Sequence, residues 1–202
     1  MRLGLVALLA LAACSPDPDE PGGTGGSAGA PVTGPVVVHP AQFLGEGQAL
    51  RPLADGDPFD LWSASQGGHV ARVAAQIEGI GGDTISLHAR FTDTVTGEIV
   101  AEETRTVLVR PVTGSDTLKE NDTRLSSQMT HVPLCPDYLP YDVVGHEMQL
   151  TVDVTELYTQ PARKGSASVR VTPRCGALAE SVGLCTCECS ANYTLGKCGV
   201  PK

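Results

Sequence analysis

Residues Thr84–Phe91 read TISLHARF, and apolar residues occupy every second position of this stretch: Ile85, Leu87, Ala89 and Phe91. The residues between them are polar. Successive side chains of a β-strand point to opposite faces, so a period of two predicts a strand with one buried face and one exposed face. The fold is therefore expected to be built from half-buried strands.

The sequence on the C-terminal side of this strand predicts a hairpin. Asp93–Gly97 reads DTVTG, which is typical of a turn, and the segment Glu98–Arg110 would return beside the first strand. Glu103 and Arg105 fall in phase with the apolar residues of this return segment. A charged pair on the buried face predicts a β-bulge or a bend there.

Further alternating segments bring the expected number of strands to about seven. They are His69–Ile77, His146–Val154, Ser166–Thr172 and the shorter Phe59–Trp62 and Met129–Leu134. No segment predicts a helix of more than two turns. The sequence thus predicts an all-β fold, an antiparallel sandwich over residues 36–176.

In its patterning this segment resembles an immunoglobulin-like or fibronectin-like sandwich. The resemblance implies a fold and no particular activity. The Cys–Trp–Cys spacing of antibody domains is absent, because Trp62 precedes every cysteine of the domain. A different small β-barrel remains open as an alternative.

Length, charge and composition exclude some functions. The 202 residues allow one compact domain with flanking segments. The formal net charge is −9 and aromatic residues make up 4% of the chain. Nucleic-acid binding normally needs a basic surface, often with aromatic platforms for bases, so no nucleic-acid partner is expected.

The N-terminus has the pattern of an export signal. Arg2 precedes the uncharged run Leu3–Ala13, which is too short to span a bilayer. The run ends in Leu11-Ala12-Ala13-Cys14, which resembles the bacterial lipoprotein signal. The resemblance implies removal of residues 1–13 and a lipid on Cys14, and Ser15, rather than Asp, implies the outer membrane. The alternative is an ordinary secretory signal that leaves Cys14 as a thiol.

Residues 14–35 are expected to form a flexible linker. From Ser15 onward they read SPDPDEPGGTGGSAGAPVTGP, rich in Gly, Pro and acidic residues. Such a segment buries too little apolar surface to offset the entropy of ordering. A tether of this length reaches about 25 Å.

Six cysteines remain after Cys14: Cys135, Cys175, Cys185, Cys187, Cys189 and Cys198. In an exported protein an even number predicts disulfides, here three. Cys185, Cys187 and Cys189 form a cluster in the sequence. Bridges across Cys-x-Cys are strained, so Cys187 is expected to bond to a cysteine outside this cluster. Either all three clustered cysteines bond to the other three, or Cys185 bonds to Cys189. We expect Cys135 to bond to Cys175, which leaves residues 177–202 as a stapled tail without its own core. A thiolate metal site is the alternative.

The candidate chemistry is limited to metal binding. No catalytic motif is present, and no cofactor is expected. Three histidines and one methionine lie at or near strand ends, where they could gather to bind copper or zinc: His69, His131, His146 and Met129. The alternative is that the histidines only hydrogen-bond at strand ends.

Together these features predict a lipoprotein of the cell envelope. The lipid anchor would attach the protein to the membrane. The β-domain would have a non-catalytic binding or structural role, with an envelope or surface protein as its possible partner. A metal-binding or enzymatic protein that uses the strand-end histidines is one alternative. A passive surface spacer is another.

Overall fold

The computed structural model of the protein describes residues 33–136 and 139–198. The expected signal peptide (1–13), Cys14 and the linker up to residue 32 lie outside the described residues. No helix in the described part of the chain is long and apolar enough to cross a membrane.

Strands are the main secondary structure of the described chain, so the all-β prediction is confirmed. Eleven strands are present: β1 (Val37–Gln42), β2 (Arg51–Pro52), β3 (Asp57–Asp60), β4 (Trp62–Ser63), β5 (His69–Glu78), β6 (Thr84–Asp93), β7 (Ile99–Pro111), β8 (Leu118–Asn121), β9 (Thr130–Cys135), β10 (Met148–Glu156) and β11 (Lys164–Arg174). A 3₁₀ turn covers Ser126–Gln128 and a helix, α1, covers Val182–Glu188.

The expected count of about seven strands is wrong because several strands are too short to show a period. β2 and β4 have two residues each, and β3 and β8 have four. β1 contains Pro40, which weakens a strand pattern. The expectation of a wholly antiparallel arrangement is also wrong, since β3 pairs with β11 in parallel.

The strands hydrogen-bond in one connected path. Its order is β2-β1-β5-β8-β7-β6-β10-β11-β3, and β4 and β9 also pair with β5. β7 joins the two halves of this path, because it pairs with β6 up to Leu108 and with β8 from Val109 to Pro111. One apolar core is shared by both halves. It includes Ala71 and Ile77 from β5 as well as Leu87 and Phe91 from β6.

Both predicted hairpins are present. β6 pairs with β7, and β10 pairs with β11. The bulge, however, is not at Glu103 and Arg105. These residues pair in regular register with Ala89 and Leu87, and the register shifts near Val100 instead. No bulge is needed at the charged pair because Glu103 and Arg105 bond to each other beside an open cavity.

Asp93 closes the β6–β7 turn. Its Oδ1 accepts hydrogen bonds from the backbone N–H groups of Val95 and Thr96. The bond from Val95 is the main cause that lowers the pKa of Asp93 to about 2, and contacts from Tyr141, Thr96 and His146 add to it.

This low pKa predicts a pH-dependent contribution to stability. The folded pKa lies below the unfolded value, so the stabilisation is present above about pH 4 and is lost as the pH falls toward 2. Asp93→Asn should therefore lower the melting temperature at pH 7, and the difference from wild type should shrink between pH 4 and pH 2. Thermal unfolding followed by circular dichroism measures it. A difference that stays constant over this range would contradict the assignment.

The disulfides connect the C-terminal tail to the strands. The bonds are Cys135–Cys189, Cys175–Cys185 and Cys187–Cys198. The prediction of three disulfides with no bridge across Cys-x-Cys is confirmed, and the expected Cys135–Cys175 bond is wrong.

Helix α1 explains this pairing. Cys185 and Cys189 are four residues apart and are both buried, so they lie on one side of the helical turn. Each bonds to the end of a different strand, Cys135 at the end of β9 and Cys175 just after β11. The tail has no core of its own, as expected, and its two buried cysteines belong to the main core.

Candidate binding site

A cavity of about 680 Å³ opens where β4, β5, β7 and β9 come together. Its lining includes Ser63, Val70, Arg72, Arg105, His131 and Pro133. We refer to it as the β7–β9 cavity. A volume of this size is typical of ligand sites in proteins.

The cavity lies between two strands that do not pair. Among the described residues, β9 pairs only with β5, and no backbone hydrogen bond joins it to β7. A side chain spans the gap instead, because Glu103 of β7 accepts a hydrogen bond from the backbone N–H of His131. Edges of this kind leave backbone groups open to an extended segment of a partner.

Arg72 supplies a cation to the cavity. Its guanidinium lies 4.1 Å from the centre of the Trp62 ring, in cation–π contact. Within the described part of the chain it forms no ion pair or side-chain hydrogen bond, and its buried Nε has no partner. Burial lowers the pKa of Arg72, while the charge of Glu46 acts in the opposite direction. A partly buried guanidinium held by stacking is ready to bind an anionic group.

His131 lies on the β9 side of the cavity. Its Nε2 is 3.0 Å from the carbonyl oxygen of Ser126. Burial is the main cause that lowers the pKa of His131, with the Ser126 contact opposing it. His131 is therefore neutral at pH 7. The charged side chains that line the cavity are the cations Arg72 and Arg105 and the carboxylates Glu103 and Glu180, and Glu103 pairs with Arg105.

The turn between β4 and β5 places Ser63 opposite His69. Two glycines with positive φ close this turn, Gly67 at +91° and Gly68 at +81°, and Ala64 donates its N–H to the Gly68 carbonyl. Ser63 and His69 are then direct partners in the register. Their side chains meet, with Ser63 Oγ 3.2 Å from His69 Nε2.

Glu188, the last residue of α1, approaches the other nitrogen of the His69 ring. Its Oε2 lies 2.9 Å from His69 Nδ1. The ring N–H is not well aligned with this oxygen, so the contact is a close polar approach rather than a formed hydrogen bond. His69 is 1% exposed. Ser63, His69 and Glu188 form what we call the Ser63–His69–Glu188 cluster.

The other three candidate metal ligands have separate surroundings. His131 contacts Ser126 as described, and His146 Nε2 lies 3.4 Å from Asp93 Oδ2 with its ring stacked on Tyr141. Met129 is fully buried in a second apolar cluster with Ala41, Phe43, Leu50 and Ala74. A side chain in that cluster packs against apolar neighbours, which offers no place for an ion.

In residues 33–136 and 139–198, one group of His, Cys, Asp and Glu side chains is close enough to hold a metal. It consists of His69, Cys185 and Cys189, whose ligand atoms lie within 4.8 Å of one another. Both cysteines are bonded in disulfides, however, and only a thiolate is a good metal ligand. With the disulfides intact, this group offers His69 alone.

Sequence reasoning did not identify Arg72 or Glu188 as site residues. Arg72 lies on the polar phase of a strand, where an arginine usually faces solvent, and Glu188 lies inside the Cys-rich tail. The sequence did identify His69 and His131, but as possible metal ligands. It also marked Glu103 and Arg105 as charges on an apolar face, which led to the prediction of a bulge instead of a cavity. Neither a protein-family model nor a curated protein matches the chain.

Proposed function

We propose that this protein is a lipid-anchored envelope protein whose β-domain binds an acidic segment of a partner in the β7–β9 cavity. Two features support the location. The sequence Leu11–Cys14 resembles a lipoprotein signal. The three disulfides are typical of proteins in an oxidising compartment outside the cytoplasm.

The cavity lies at the end of β5 that is far from the start of the described chain. β5 has ten residues, so its ends are about 30 Å apart. Its C-terminal Glu78 pairs with Val37, near the start of the described chain. Its N-terminal His69 lies at the cavity end, next to Ser63. The cavity and the start of the described chain therefore lie near opposite ends of β5.

The observation that carries the proposed binding activity is the unpaired Arg72 guanidinium. Partial burial of a cation that forms no ion pair costs free energy, and an anionic ligand would offset that cost. The planar guanidinium also matches a carboxylate through two parallel hydrogen bonds. The open backbone edges of β7 and β9 would hold an extended segment that carries this carboxylate. We therefore propose an acidic peptide as the ligand.

Binding of a labelled hexaglutamate peptide to the full chain tests this proposal. Fluorescence polarisation at low salt should detect binding, and Arg72→Gln should weaken it at least tenfold, because one buried charge-assisted pair contributes about 1.5–3 kcal/mol. Binding should also fall as salt is raised.

Two controls make the result specific. A hexaserine peptide, which has no side-chain carboxylates, should not bind, and Arg170→Gln should leave hexaglutamate binding unchanged, because Arg170 is a surface residue that pairs with the exposed Asp55. Equal binding by wild type and Arg72→Gln would overturn the proposal. Absence of any peptide binding would favour the passive spacer.

We further propose that the two halves of the strand path pack as an immunoglobulin-like sandwich. The support is the single core to which both halves contribute side chains. In such sandwiches the loops and open edges are the usual contact surfaces.

A further inference from the structure

We propose that Ser63, His69 and Glu188 form a nucleophilic relay that cleaves carboxylic esters bound in the β7–β9 cavity. This activity goes beyond acidic-peptide binding, because it needs the serine hydroxyl and not the Arg72 charge.

The arrangement of the three side chains carries the proposal. The hydroxyl is 3.2 Å from one nitrogen of the imidazole, and the carboxylate is 2.9 Å from the other. A carboxylate beside Nδ1 favours the tautomer that carries its proton there, which leaves the lone pair of Nε2 facing Ser63 Oγ. That is the arrangement in which a histidine accepts the proton of a serine nucleophile.

Burial strengthens the electrostatic part of this relay. His69 is 1% exposed and the Glu188 side chain 15%, so water screens their interaction weakly. Neither Nδ1 nor Oε2 has a formed hydrogen bond among the described residues. Catalytic hydrogen bonds are often poorly aligned without substrate and tighten when charge develops on the imidazole. Ser63 lines the cavity, and its Oγ accepts a hydrogen bond from the backbone N–H of Glu180, which also lines the cavity.

A disulfide holds the acid next to the base. His69 is the register partner of Cys135, and Cys135 is bonded to Cys189, the residue after Glu188. A short covalent path therefore connects the backbone beside His69 with the backbone beside Glu188. Precise support of this kind is what a catalytic group needs to keep its geometry.

The reaction would follow two balanced steps. Ser63 Oγ attacks the ester carbonyl carbon while its proton moves to His69 Nε2, and the C–O bond of the ester breaks as the leaving alcohol takes that proton. Water then attacks the acyl carbon and gives one proton to His69, and the bond between this carbon and Ser63 Oγ breaks. The acid product leaves and the proton returns to Ser63 Oγ. Glu188 stabilises the imidazolium and is a positioning residue.

A fluorophosphonate probe tests the relay in the full, oxidised chain. Fluorophosphonates react with activated serines, and this probe carries no acidic group, so its result is independent of acidic-peptide binding. We expect one phosphonylated serine, which peptide mass spectrometry should assign to Ser63. Ser63→Ala should abolish labelling, and Ser65→Ala, which removes an exposed serine from the same turn, should leave it unchanged.

The variant Glu188→Gln tests whether the reactivity of Ser63 depends on the Glu188 charge, as a relay requires. The amide keeps the size of the side chain but loses its charge, so the labelling rate should fall at least tenfold with little change in melting temperature. Failure of the folded wild type to label faster than heat-denatured protein would overturn the proposal. So would labelling at a serine other than Ser63.

Discussion

Replacing Cys135 and Cys189 together with alanine is expected to lower the free energy of unfolding by about 4 kcal/mol. The bond closes a loop with a sequence separation of 54 residues, so its loss frees a large part of the unfolded chain. Both cysteines are buried in the main core, where alanine also leaves space. Urea unfolding of the oxidised protein followed by circular dichroism measures the change.

The matched control is the double replacement of Cys187 and Cys198. That bond has a sequence separation of 11 and should contribute less, about 3 kcal/mol. A larger loss from this control than from the Cys135–Cys189 pair would contradict the pairing described here. The first variant should also lose fluorophosphonate labelling, because Glu188 would no longer be tied to the strand beside His69.

Replacing Phe91 with alanine is expected to cost about 3–5 kcal/mol, the range for removing a buried aromatic side chain. Phe91 is fully buried, and its ring meets Phe59 edge to face, with the ring centres 5.8 Å apart. It therefore joins β6 to β3, two strands that are separated by β10 and β11 along the hydrogen-bonded path.

Denaturant unfolding checks this value, and Val95→Ala is the control. Val95 is 83% exposed in the turn that follows β6, so its truncation should change stability by less than about 0.5 kcal/mol. Similar losses from the two variants would mean that Phe91 does not lie in the core.

The sequence predicted those strands that are long and buried on one face. Leu87 and Phe91 in β6, like Leu150 in β10, are apolar residues in strict alternation, and these strands form the two hairpins. Trp62 and Ser63 form a strand of two residues, which is too short for any period to appear. β3 pairs in parallel with a strand more than a hundred residues later in the chain, and no local pattern reports such a contact.

The disulfide partners could not be predicted for a similar reason. Cys135 and Cys175 both lie beside predicted strands, and this position alone favours a direct bond between them. The helix α1 brings Cys185 and Cys189 to these strand ends, and it is only seven residues long. A helix of that length has no period that a sequence reveals, and its place depends on tertiary contacts.

The candidate site was the least predictable part. Ser63 and His69 are six residues apart, but Glu188 comes more than a hundred residues later and reaches His69 only because the tail folds back. Arg72 shows no signal in the sequence, because its significance is that its guanidinium forms no ion pair in the described structure, and only the neighbours in space reveal that. The histidines were predicted as candidate ligands, and His69 is the one that lies beside a serine hydroxyl, a carboxylate and two disulfides.

The strand β7 has a consequence for how the domain unfolds. Its thirteen residues supply hydrogen bonds to both halves of the strand path, so neither half keeps a complete edge if β7 is lost. We expect the two halves to melt together in a single cooperative transition, with amide protons of β5 and β10 exchanging with solvent at similar rates. A fragment cut within β7 should consequently fail to fold, even if it contains one full hairpin.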